Sequence, residues 1–390
     1  MRESNENTET SGAKYRFGFI LSTSLGNITR YNNFRKFAER DSEIEFVWAP
    51  VKHYFTPQEL NPFRLLPKIV QNRAIVLYQA LPVLRRLRSL DAVMLHLYEA
   101  DILLALRGYM FSAPLRIISS DDAPAVDPSR YPFHPVELTK PAWRRALRLK
   151  IDIWRARRSD MLIPFSKWAT DILVKGVGID ASRVTPIHVG LDLDIWRYTP
   201  KIVRNTDRPI KILFVGGEFF RKGGADLLKA VAGRLATATE LHIVTKTVLQ
   251  SIPGNARVYN NLSANDDRLA RLYRDSDILV HPTTSDLSSW VILEAMASGC
   301  AVITTPVGGI VDLIDEGYNG LLVPVGNPTA LAGAIDKLVG NPLLRMQMGA
   351  NGRAMIEEHY DAKKNVPLIL RALKNAVDQK TKARQRKALR

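Results

Sequence analysis

Short apolar runs alternate with amphipathic stretches along most of this chain of 390 residues. The first run, at 17–21, predicts a buried strand, and the aromatic residues after it recur at helical spacing. Three more runs, at 45–48, 91–96 and 115–119, have the length and composition of further strands. Strands that alternate with helices in this way are typical of a parallel α/β sheet.

Proline and polar residues cluster at 199–209, and the alternation resumes after them. The apolar runs of the second half lie at 210–215, 240–244, 277–281 and 301–304. We therefore predict an α/β fold with two Rossmann-like domains, at 17–198 and 210–358, joined by a linker at 199–209. A polar leader at 1–16 precedes them. Residues 359–390 are predicted to form a helix that returns to the first domain and ends in a basic tail.

The composition, with 46% hydrophobic and 24% charged residues, is that of an ordinary globular protein. It excludes a disordered chain, and the single cysteine, Cys300, excludes a disulfide-stapled one. The apolar stretches at 74–84 and 92–106 are interrupted and too short to span a membrane. The leader lacks the apolar segment of a signal peptide. These features predict a cytoplasmic protein.

The formal net charge of +16 is unevenly distributed along the sequence. Residues 1–200 carry a net +8, residues 201–378 only +2, and residues 379–390 carry +6. The predicted helix at 143–158 has seven basic residues and one acidic residue, with its apolar residues on one face. Basic amphipathic helices bind anionic membrane surfaces, which predicts a peripheral position at the inner face of the membrane. The alternative interpretation is a helix that packs within the first domain and has a solvated basic face.

A glycine-rich turn follows the strand predicted at 210–215 and carries two adjacent cations, Arg221 and Lys222. Open α/β sheets bind ligands beyond the carboxyl ends of their strands, and glycines such as Gly217 let the backbone approach a phosphate. Arginine can bond a phosphate through two N–H groups at once. The segment therefore predicts a diphosphate clamp, although it is neither a Walker loop nor a dinucleotide-binding fingerprint. A solvated basic turn is the alternative.

Two carboxylates, Asp286 and Glu294, lie eight residues apart across a predicted loop and helix start. A carboxylate among apolar neighbours is costly unless a donor bonds to it. Sugar hydroxyls are suitable donors, because one carboxylate can accept from two adjacent hydroxyl groups. The alternative is a helix cap at Asp286 and a structural Glu294 bonded to the backbone. A Gly308–Gly309 turn follows the next predicted strand.

Taken together, these motifs resemble the donor-site signature of family-4 retaining glycosyltransferases, which have the GT-B fold. That signature has two carboxylates spaced E-x7-E, an Ala-Met pair, a strand, a Val-Gly-Gly turn and an Asn-Gly-Leu-Leu-Val-Pro stretch. Residues 277–327 resemble it in order and spacing, and residues 166–196 resemble the family's interdomain segment. The resemblance implies two Rossmann-like domains that face each other across a cleft. It also implies transfer of a sugar from a nucleotide-diphosphate donor to an acceptor hydroxyl, with retention of configuration.

By this resemblance, Glu294 would hold the ribose hydroxyls of the donor, and Asp286 would contact the transferred sugar. Arg221 and Lys222 would neutralise the diphosphate as it leaves, and Gly26 would lend backbone amides to the same phosphate. The predicted donor-binding residues are Gly26, Gly217, Arg221, Lys222, Asp286, Glu294, Gly308 and Gly309.

The match departs from the family pattern at the first carboxylate, which is Asp286 where the family has glutamate. The residues that follow are Leu-Ser-Ser-Trp in place of the usual Gly-Phe. Two interpretations are open: a pocket reshaped for a different sugar, or a sugar-nucleotide-binding protein of low activity. The first is favoured, because the charge at 286 is kept and the other motif residues are present.

In the first domain, His96 ends one predicted strand and Asp121 follows another, and we predict that both lie near the reacting centre with Arg221, Lys222 and Asp286. A core histidine is the alternative for His96. No protein nucleophile is evident, so the resemblance implies front-side attack in which the leaving phosphate takes the acceptor's proton. Two Asp-x-Asp triplets, at 192–194 and 275–277, are not predicted to bind metal, because the clamp cations supply the positive charge. No cofactor is predicted.

The predicted partners are a nucleotide-diphosphate sugar, a glycan or glycolipid acceptor in the cell envelope, and an anionic membrane surface. Nucleic acid is not predicted despite the net charge of +16, because the sequence has no RNA-recognition aromatic motif and no helix-turn-helix pattern. An epimerase of the same fold, which would move a proton with its carboxylates, is a further alternative. The donor base, the sugar and the acceptor stay open.

Overall fold

The structure is a computed structural model that describes most of the chain. The described ranges are 14–23, 27–52, 63, 67–96, 114–121, 123–126, 138–198, 200, 208–233, 235–264 and 266–389. Within them the chain forms two parallel sheets, each with helices on both faces. This confirms the two Rossmann-like domains predicted from the alternation of strands and helices.

The first sheet has the strand order β2-β1-β3-β4-β5, and all of its pairings are parallel. Its strands are β1 (Tyr15–Ser22), β2 (Ile44–Val51), β3 (Ala92–Leu95), β4 (Leu115–Ile118) and β5 (Met161–Leu162). The described helices of this domain are α1 (Asn27–Ala38), α2 (Lys68–Arg85), α3 (Ala142–Arg158) and α4 (Lys167–Asp171). Phe17 and Phe19 pack towards α1, whereas Ile20 packs towards α2, so β1 is apolar on both faces.

The second sheet has the strand order β11-β10-β9-β6-β7-β8 and is also entirely parallel. Its strands are β6 (Ile210–Val215), β7 (Thr239–Val244), β8 (Ala256–Tyr259), β9 (Ile278–His281), β10 (Ala301–Thr304) and β11 (Gly320–Leu322). Its helices are α5 (Gly224–Ala230), α6 (Leu235–Ala238), α7 (Asp267–Asp275), α8 (Trp290–Ala297), α9 (Pro328–Gly340) and α10 (Pro342–His359). The strands β8 and β11, at the two edges of this sheet, were not predicted from the pattern of apolar runs.

The last helix, α11 (Ala362–Ala388), leaves the second domain and packs against α1 of the first. Val366, Ile369 and Leu373 are buried in the same core cluster as β1. The Lys374 ammonium pairs with Asp41 at 2.8 Å. The predicted return of the last helix is confirmed, and the helix continues through the basic tail to Ala388, because the tail is built of good helix formers and contains no glycine or proline.

The chain crosses between the domains at two neighbouring places. The Leu191 amide donates to the Tyr360 carbonyl at 2.7 Å, and the Ala362 amide donates back to the Leu191 carbonyl at 3.0 Å. The Trp168 amide of the first domain donates to Asp312 of the second at 2.7 Å. The last of these bonds joins α4 of the first domain to the second domain. None of the helices in the described part of the chain is long and apolar enough to cross a membrane.

Candidate functional site

The predicted clamp lies where β6 leaves the second sheet and turns into α5. Gly223 ends this turn with φ at +80°, and an added Cβ would lie 2.0 Å from the Pro282 carbonyl oxygen. Only glycine lets the turn adopt this backbone conformation and pack so closely against the segment after β9. Arg221 and Lys222 are thereby held beside residues 281–286, at the carboxyl ends of two adjacent parallel strands.

Lys222 and Asp286 form the central ion pair of this site. Nζ of Lys222 lies 2.5 Å from Oδ2 of Asp286, and the two side chains are 14% and 15% exposed. His281 Nε2 lies 3.4 Å from the same oxygen. Burial would raise the pKa of Asp286, but the charge of Lys222 and the hydrogen bond from His281 outweigh it and hold that pKa well below its ordinary value. Asp286 is therefore charged throughout the neutral range.

His281 itself is fully buried at the end of β9. Burial lowers the pKa of its imidazole, so the ring is neutral at pH 7. When Nε2 carries the proton that faces Asp286, Nδ1 is an acceptor, and it has no hydrogen-bond partner among the described residues. His281 thus orients Asp286 without adding a charge to the cluster.

Arg221 is fixed by three hydrogen bonds. Its Nη1 donates to the Ser285 carbonyl at 2.7 Å, and its Nε and Nη2 donate to the Glu218 carboxylate at 2.7 and 3.2 Å. The first bond ties the clamp turn to the loop that carries Asp286. Glu218 lies in the same turn and is half exposed, so it compensates the guanidinium charge without removing it from solvent reach.

Glu294 is buried in α8, the helix that follows the loop of Asp286. The Tyr273 hydroxyl donates to its Oε2 at 2.8 Å. Burial raises the pKa of Glu294 to about 8, and the bond from Tyr273 offsets this only in part. At pH 7 the carboxyl is therefore mostly protonated and can donate as well as accept a hydrogen bond. The alternative of a backbone-bonded glutamate is not what the structure has, because its partner is the Tyr273 side chain.

The Gly308–Gly309 turn lies directly against the loop of Asp286. Gly308 has φ at +55°, and an added Cβ would lie 2.1 Å from the Asp286 carbonyl oxygen. The Gly309 amide donates to the Leu287 carbonyl at 2.8 Å. The two glycines thus fix the backbone on which the Asp286 side chain is mounted. A Cβ on Gly309 would also lie 3.1 Å from Ser166 Oγ of the first domain, so the domains meet at this turn.

The two remaining glycines of the predicted donor site differ in what the structure says of them. Gly217 lies in the clamp turn, and an added Cβ would meet no atom within 4 Å. Its carbonyl accepts from Thr245 and Thr247 at 3.4 Å. The turn at Gly217 is therefore open on the side to which a Cβ would point. Gly26 lies outside the described residues.

Asp121 is buried in the first domain and is bonded within that domain. The Phe165 amide donates to its Oδ1 at 2.6 Å. Burial raises the pKa of Asp121 to about 7. The hydrogen bonds from Phe165 and Ser166 and the charge of Arg30 lower this pKa, but they offset the effect of burial only in part. Since Ser166 in turn lies against Gly309, Asp121 reaches the ion pair only through other residues. The structure does not bring Asp121 into direct contact with Arg221, Lys222 or Asp286.

His96 is half-buried immediately after β3, and its amide donates to the Ile20 carbonyl at 3.0 Å. It belongs to the first sheet, as predicted, and no contact given by the structure joins it to the Lys222–Asp286 pair. The catalytic assignments of His96 and Asp121 stay predictions.

The Asp-x-Asp triplets are held by cations of the protein. Asp192 pairs with Lys36 at 2.5 Å, Asp194 pairs with Lys363 at 3.0 Å, and Asp277 receives two bonds of 2.9 Å from Arg208. These carboxylates therefore serve structural ion pairs. Across the described ranges, no group of three or more His, Cys, Asp or Glu side chains is arranged to hold a metal ion.

Three residues of the site were not identified from the sequence. His281 ends a predicted strand as His96 does, and Glu218 lies inside the clamp segment, so both carried a local signal. Tyr273 lies 21 residues before Glu294 and had none, because only the packing of α7 on α8 brings the two together.

Residues 209–341 match the family model described as Glycosyl transferases group 1. This match spans the clamp turn, the Lys222–Asp286 pair, Glu294 and the Gly308–Gly309 turn.

Curated relatives are similar over about half of the chain. The chain is 25% identical over 225 residues to MJ1069, an uncharacterized glycosyltransferase of Methanocaldococcus jannaschii. The aligned region covers 54% of this chain and 57% of that protein. The chain is 29% identical over 245 residues to a D-inositol 3-phosphate glycosyltransferase of Acidothermus cellulolyticus, which covers 56% and 54%. The chain thus spans about half the length of the curated relatives that it matches.

Solved structures match nearly the whole chain. Sucrose-phosphate synthase from Thermosynechococcus elongatus superposes with a TM-score of 0.70 at 17% identity, over 96% of this chain and 100% of that one. WaaG, a glycosyltransferase involved in lipopolysaccharide biosynthesis, gives a TM-score of 0.63 at 15% identity, over 91% and 98%. Anabaena Alr3699/HepE in complex with UDP-glucose gives 0.62 at 16%, over 92% and 99%. These likenesses confirm the GT-B fold.

Proposed function

We propose that this chain transfers a sugar from a nucleotide-diphosphate sugar to an acceptor hydroxyl, because residues 209–341 match the family model of the Glycosyl transferases group 1. The observation that carries the proposal is the cluster at the carboxyl ends of β6 and β9. There Lys222 pairs with the charged Asp286, and Arg221 bonds the Ser285 carbonyl in the loop that carries Asp286. The open turn at Gly217 lies in the same segment as the two cations.

The clamp cations supply what the departing diphosphate requires. Negative charge develops on the leaving phosphate in the transition state, and fixed cations at a partly buried site stabilise it without reorganising. Lys222 is held by Asp286, so its ammonium is already positioned before a donor binds. Because these two side chains carry the positive charge, we propose that transfer needs no metal ion and no other cofactor.

Each carboxylate has a distinct role in this proposal. Asp286 accepts hydrogen bonds from the transferred sugar, since its low pKa keeps it ionised. Glu294 holds the ribose hydroxyls, and its proton at pH 7 lets it donate to one of them as well as accept. The solved structure of HepE was obtained with UDP-glucose, which supports a nucleotide-sugar donor for this fold.

We propose retention of configuration by front-side attack. The acceptor oxygen bonds to the anomeric carbon on the face from which the diphosphate leaves, the bond to the leaving phosphate oxygen breaks, and that oxygen takes the acceptor's proton. Asp286 is engaged by Lys222 and His281, and His281 is buried and neutral, so neither is placed as a nucleophile among the described residues. Catalysis is then mainly electrostatic.

The acceptor in this proposal is a glycan or glycolipid of the cell envelope, and it binds to the first domain. We propose that the transfer takes place in the cytoplasm. WaaG, a glycosyltransferase with the same fold, is involved in lipopolysaccharide biosynthesis, which supports the proposal of an envelope acceptor. The basic first half of the sequence, with its net +8, suits an acidic or phosphorylated acceptor.

A second candidate is a protein that binds a sugar nucleotide and has little transferase activity. It is favoured by one observation: Asp286 is one methylene shorter than the family's glutamate, and its Oδ2 is already bonded to both Lys222 and His281. In that case the donor would bind without turnover.

The test uses a panel of UDP-, GDP- and ADP-sugars, with nucleotide release and thermal stabilisation measured on the same samples. A transferase releases nucleotide and is stabilised by the matching nucleoside diphosphate, because a ligand of the native state raises apparent stability by mass action. Lys222→Ala should lower turnover by about 100-fold, as for loss of one preorganised charge contact. Lys229→Ala, an exposed lysine of α5, is the matched control and should keep full turnover. Stabilisation without nucleotide release supports the second candidate, and wild-type turnover by Lys222→Ala contradicts the clamp.

A further inference from the structure

Helix α3 packs on the first domain through one side and leaves part of its apolar face in solvent. Trp143, Leu147 and Ile151 lie on one side and are 62%, 51% and 37% exposed. Asp152 and Ala156, on the other side, are buried against the first domain. The helix does pack on the first domain, as the alternative interpretation has it, but three residues of its apolar face meet solvent, and Trp154 on the same face is half-buried.

Basic side chains surround this apolar stripe. Arg144, Lys150 and Arg157 are exposed, and the Arg144 guanidinium lies 5.1 Å from the centre of the Trp143 ring. The single acidic residue of the helix, Asp152, is buried and lies 3.6 and 3.7 Å from two arginines of the same helix. The solvent-facing side of α3 is thus apolar along its middle and positive along its edges.

The basic tail adjoins the end of this helix. Lys380 of α11 lies within electrostatic range of Asp160, two residues after α3, and of Arg116. The Arg116 amide donates to the Asp160 carboxylate at 2.7 Å. Residues 381–389, which follow Lys380, are all exposed and contain no acidic residue. The basic tail therefore begins near the carboxyl end of α3, although the two segments are more than 200 residues apart in the sequence.

We propose that these two segments together form a docking surface for the anionic headgroups of a lipid bilayer. The docking surface comprises the stripe Trp143, Leu147 and Ile151, the basic residues beside it on α3, and the exposed end of α11. This goes beyond the proposed transferase, which requires only a donor and an acceptor.

The chemistry of the stripe selects lipid over other anionic partners. A helix of this kind lies in the plane of the interface, with its apolar residues at the boundary of headgroups and acyl chains and its cations among the headgroups. Tryptophan is favoured at that depth, because its ring is apolar and its N–H can remain hydrated. A nucleic acid would attract the cations equally, but it offers no apolar layer for Leu147 and Ile151.

The test is sedimentation of the full chain with vesicles of phosphatidylcholine alone or with added phosphatidylglycerol, at low and high salt. Three variants are compared with wild type. The apolar variant combines Trp143→Ser with Leu147→Ser, and the tail variant combines Lys382→Gln, Arg384→Gln, Arg386→Gln and Lys387→Gln. The control combines Leu343→Ser with Lys337→Gln, at exposed positions of the second domain. All the substituted residues are exposed, so each variant should unfold at the wild-type temperature and keep wild-type nucleotide release.

We expect wild type and control to bind the anionic vesicles and to lose most of that binding at high salt. Each lysine or arginine near an anionic surface is worth about fivefold in affinity, so the tail variant should bind at least about tenfold more weakly. The apolar variant should also bind more weakly, at both salt concentrations. Equal binding to neutral vesicles, or wild-type binding by both variants, overturns the proposal. So does binding of generic RNA that anionic vesicles do not displace. None of these outcomes bears on nucleotide release, so this proposal and the transferase fail separately.

Discussion

Removing the lysine of the Lys222–Asp286 pair should reverse the way in which Asp286 responds to pH. In the native protein Lys222 holds the pKa of Asp286 below its ordinary value, so this carboxylate stabilises the fold above pH 4, and that contribution is lost only as the pH falls towards the lowered pKa. In Lys222→Ala the burial of Asp286 is left without its main compensation. Its pKa should then rise above the ordinary value, and the folded state should gain stability as the pH is lowered from 7 to 5.

The magnitude follows from the burial of the pair. Removing one partner of a buried ion pair costs about 3–5 kcal/mol, because the other charge stays buried. Both side chains keep some solvent contact, at 14% and 15% exposed, and His281 still bonds Asp286, so we expect the lower end of this range. For a domain of this size, about 3 kcal/mol lowers the melting temperature of the second domain by about 6–12 °C.

The assay is thermal unfolding at pH 5 and pH 7 of wild type, Lys222→Ala, Asp286→Asn and the double variant. The double variant should be more stable than Lys222→Ala, because it contains no uncompensated buried charge. The deficit of Lys222→Ala should shrink at pH 5, where its Asp286 can be protonated. A deficit below about 1 kcal/mol, or one that is the same at both pH values, would show that the pair is not buried as described.

Three further predictions concern two neighbouring residues and the absence of a metal requirement. Glu294→Gln should be more stable than wild type at pH 8 but not at pH 5. The raised pKa of about 8 makes the wild type lose stability as the pH rises from 5 to 8, and glutamine does not ionise. Melting temperatures of the two proteins that differ by the same amount at both pH values would contradict this. Gly308→Ala should lower the melting temperature and nucleotide release together, since its Cβ would lie 2.1 Å from the Asp286 carbonyl oxygen, whereas Gly333→Ala, which meets no atom within 4 Å, should do neither. Nucleotide release should be unchanged by EDTA, and a loss that Mg²⁺ restores would refute the metal-free clamp.

The strands that lie in the middle of each sheet could be predicted from the sequence, because a strand covered on both faces is a continuous apolar run. β8 could not, since Ala256–Tyr259 is only partly buried at an edge and mixes polar with apolar residues. The identity of the clamp cations was also accessible, because glycines and charges are local signals. What was not accessible is pairing over distance: Lys222 meets Asp286 across 64 residues, and no local pattern specifies that contact.

Helix α3 illustrates a second limit of the same kind. Its periodicity defines an apolar face, and the usual inference is that such a face is buried. Here the domain instead buries Asp152 and Ala156, together with Arg155, and leaves Trp143 in solvent. Periodicity gives the separation of the two faces of a helix but does not state which face the rest of the protein covers.

The return of α11 to the first domain has a consequence for building chimeras. Three residues of α11 complete the core around β1, namely Val366, Ile369 and Leu373. At the start of α11, the Cα of Ala362 lies so close to Gly190 that a Cβ added to Gly190 would be 2.5 Å from it. The first folding unit is therefore discontinuous in the sequence, with its last helix encoded after the whole second unit. An exchange of donor-binding modules between chains of this architecture has to be made as an insertion, with two junctions that leave α11 with its original partner. A simple fusion at the linker would replace α11 as well, so the apolar surface around β1 would be covered by a helix that did not evolve with it.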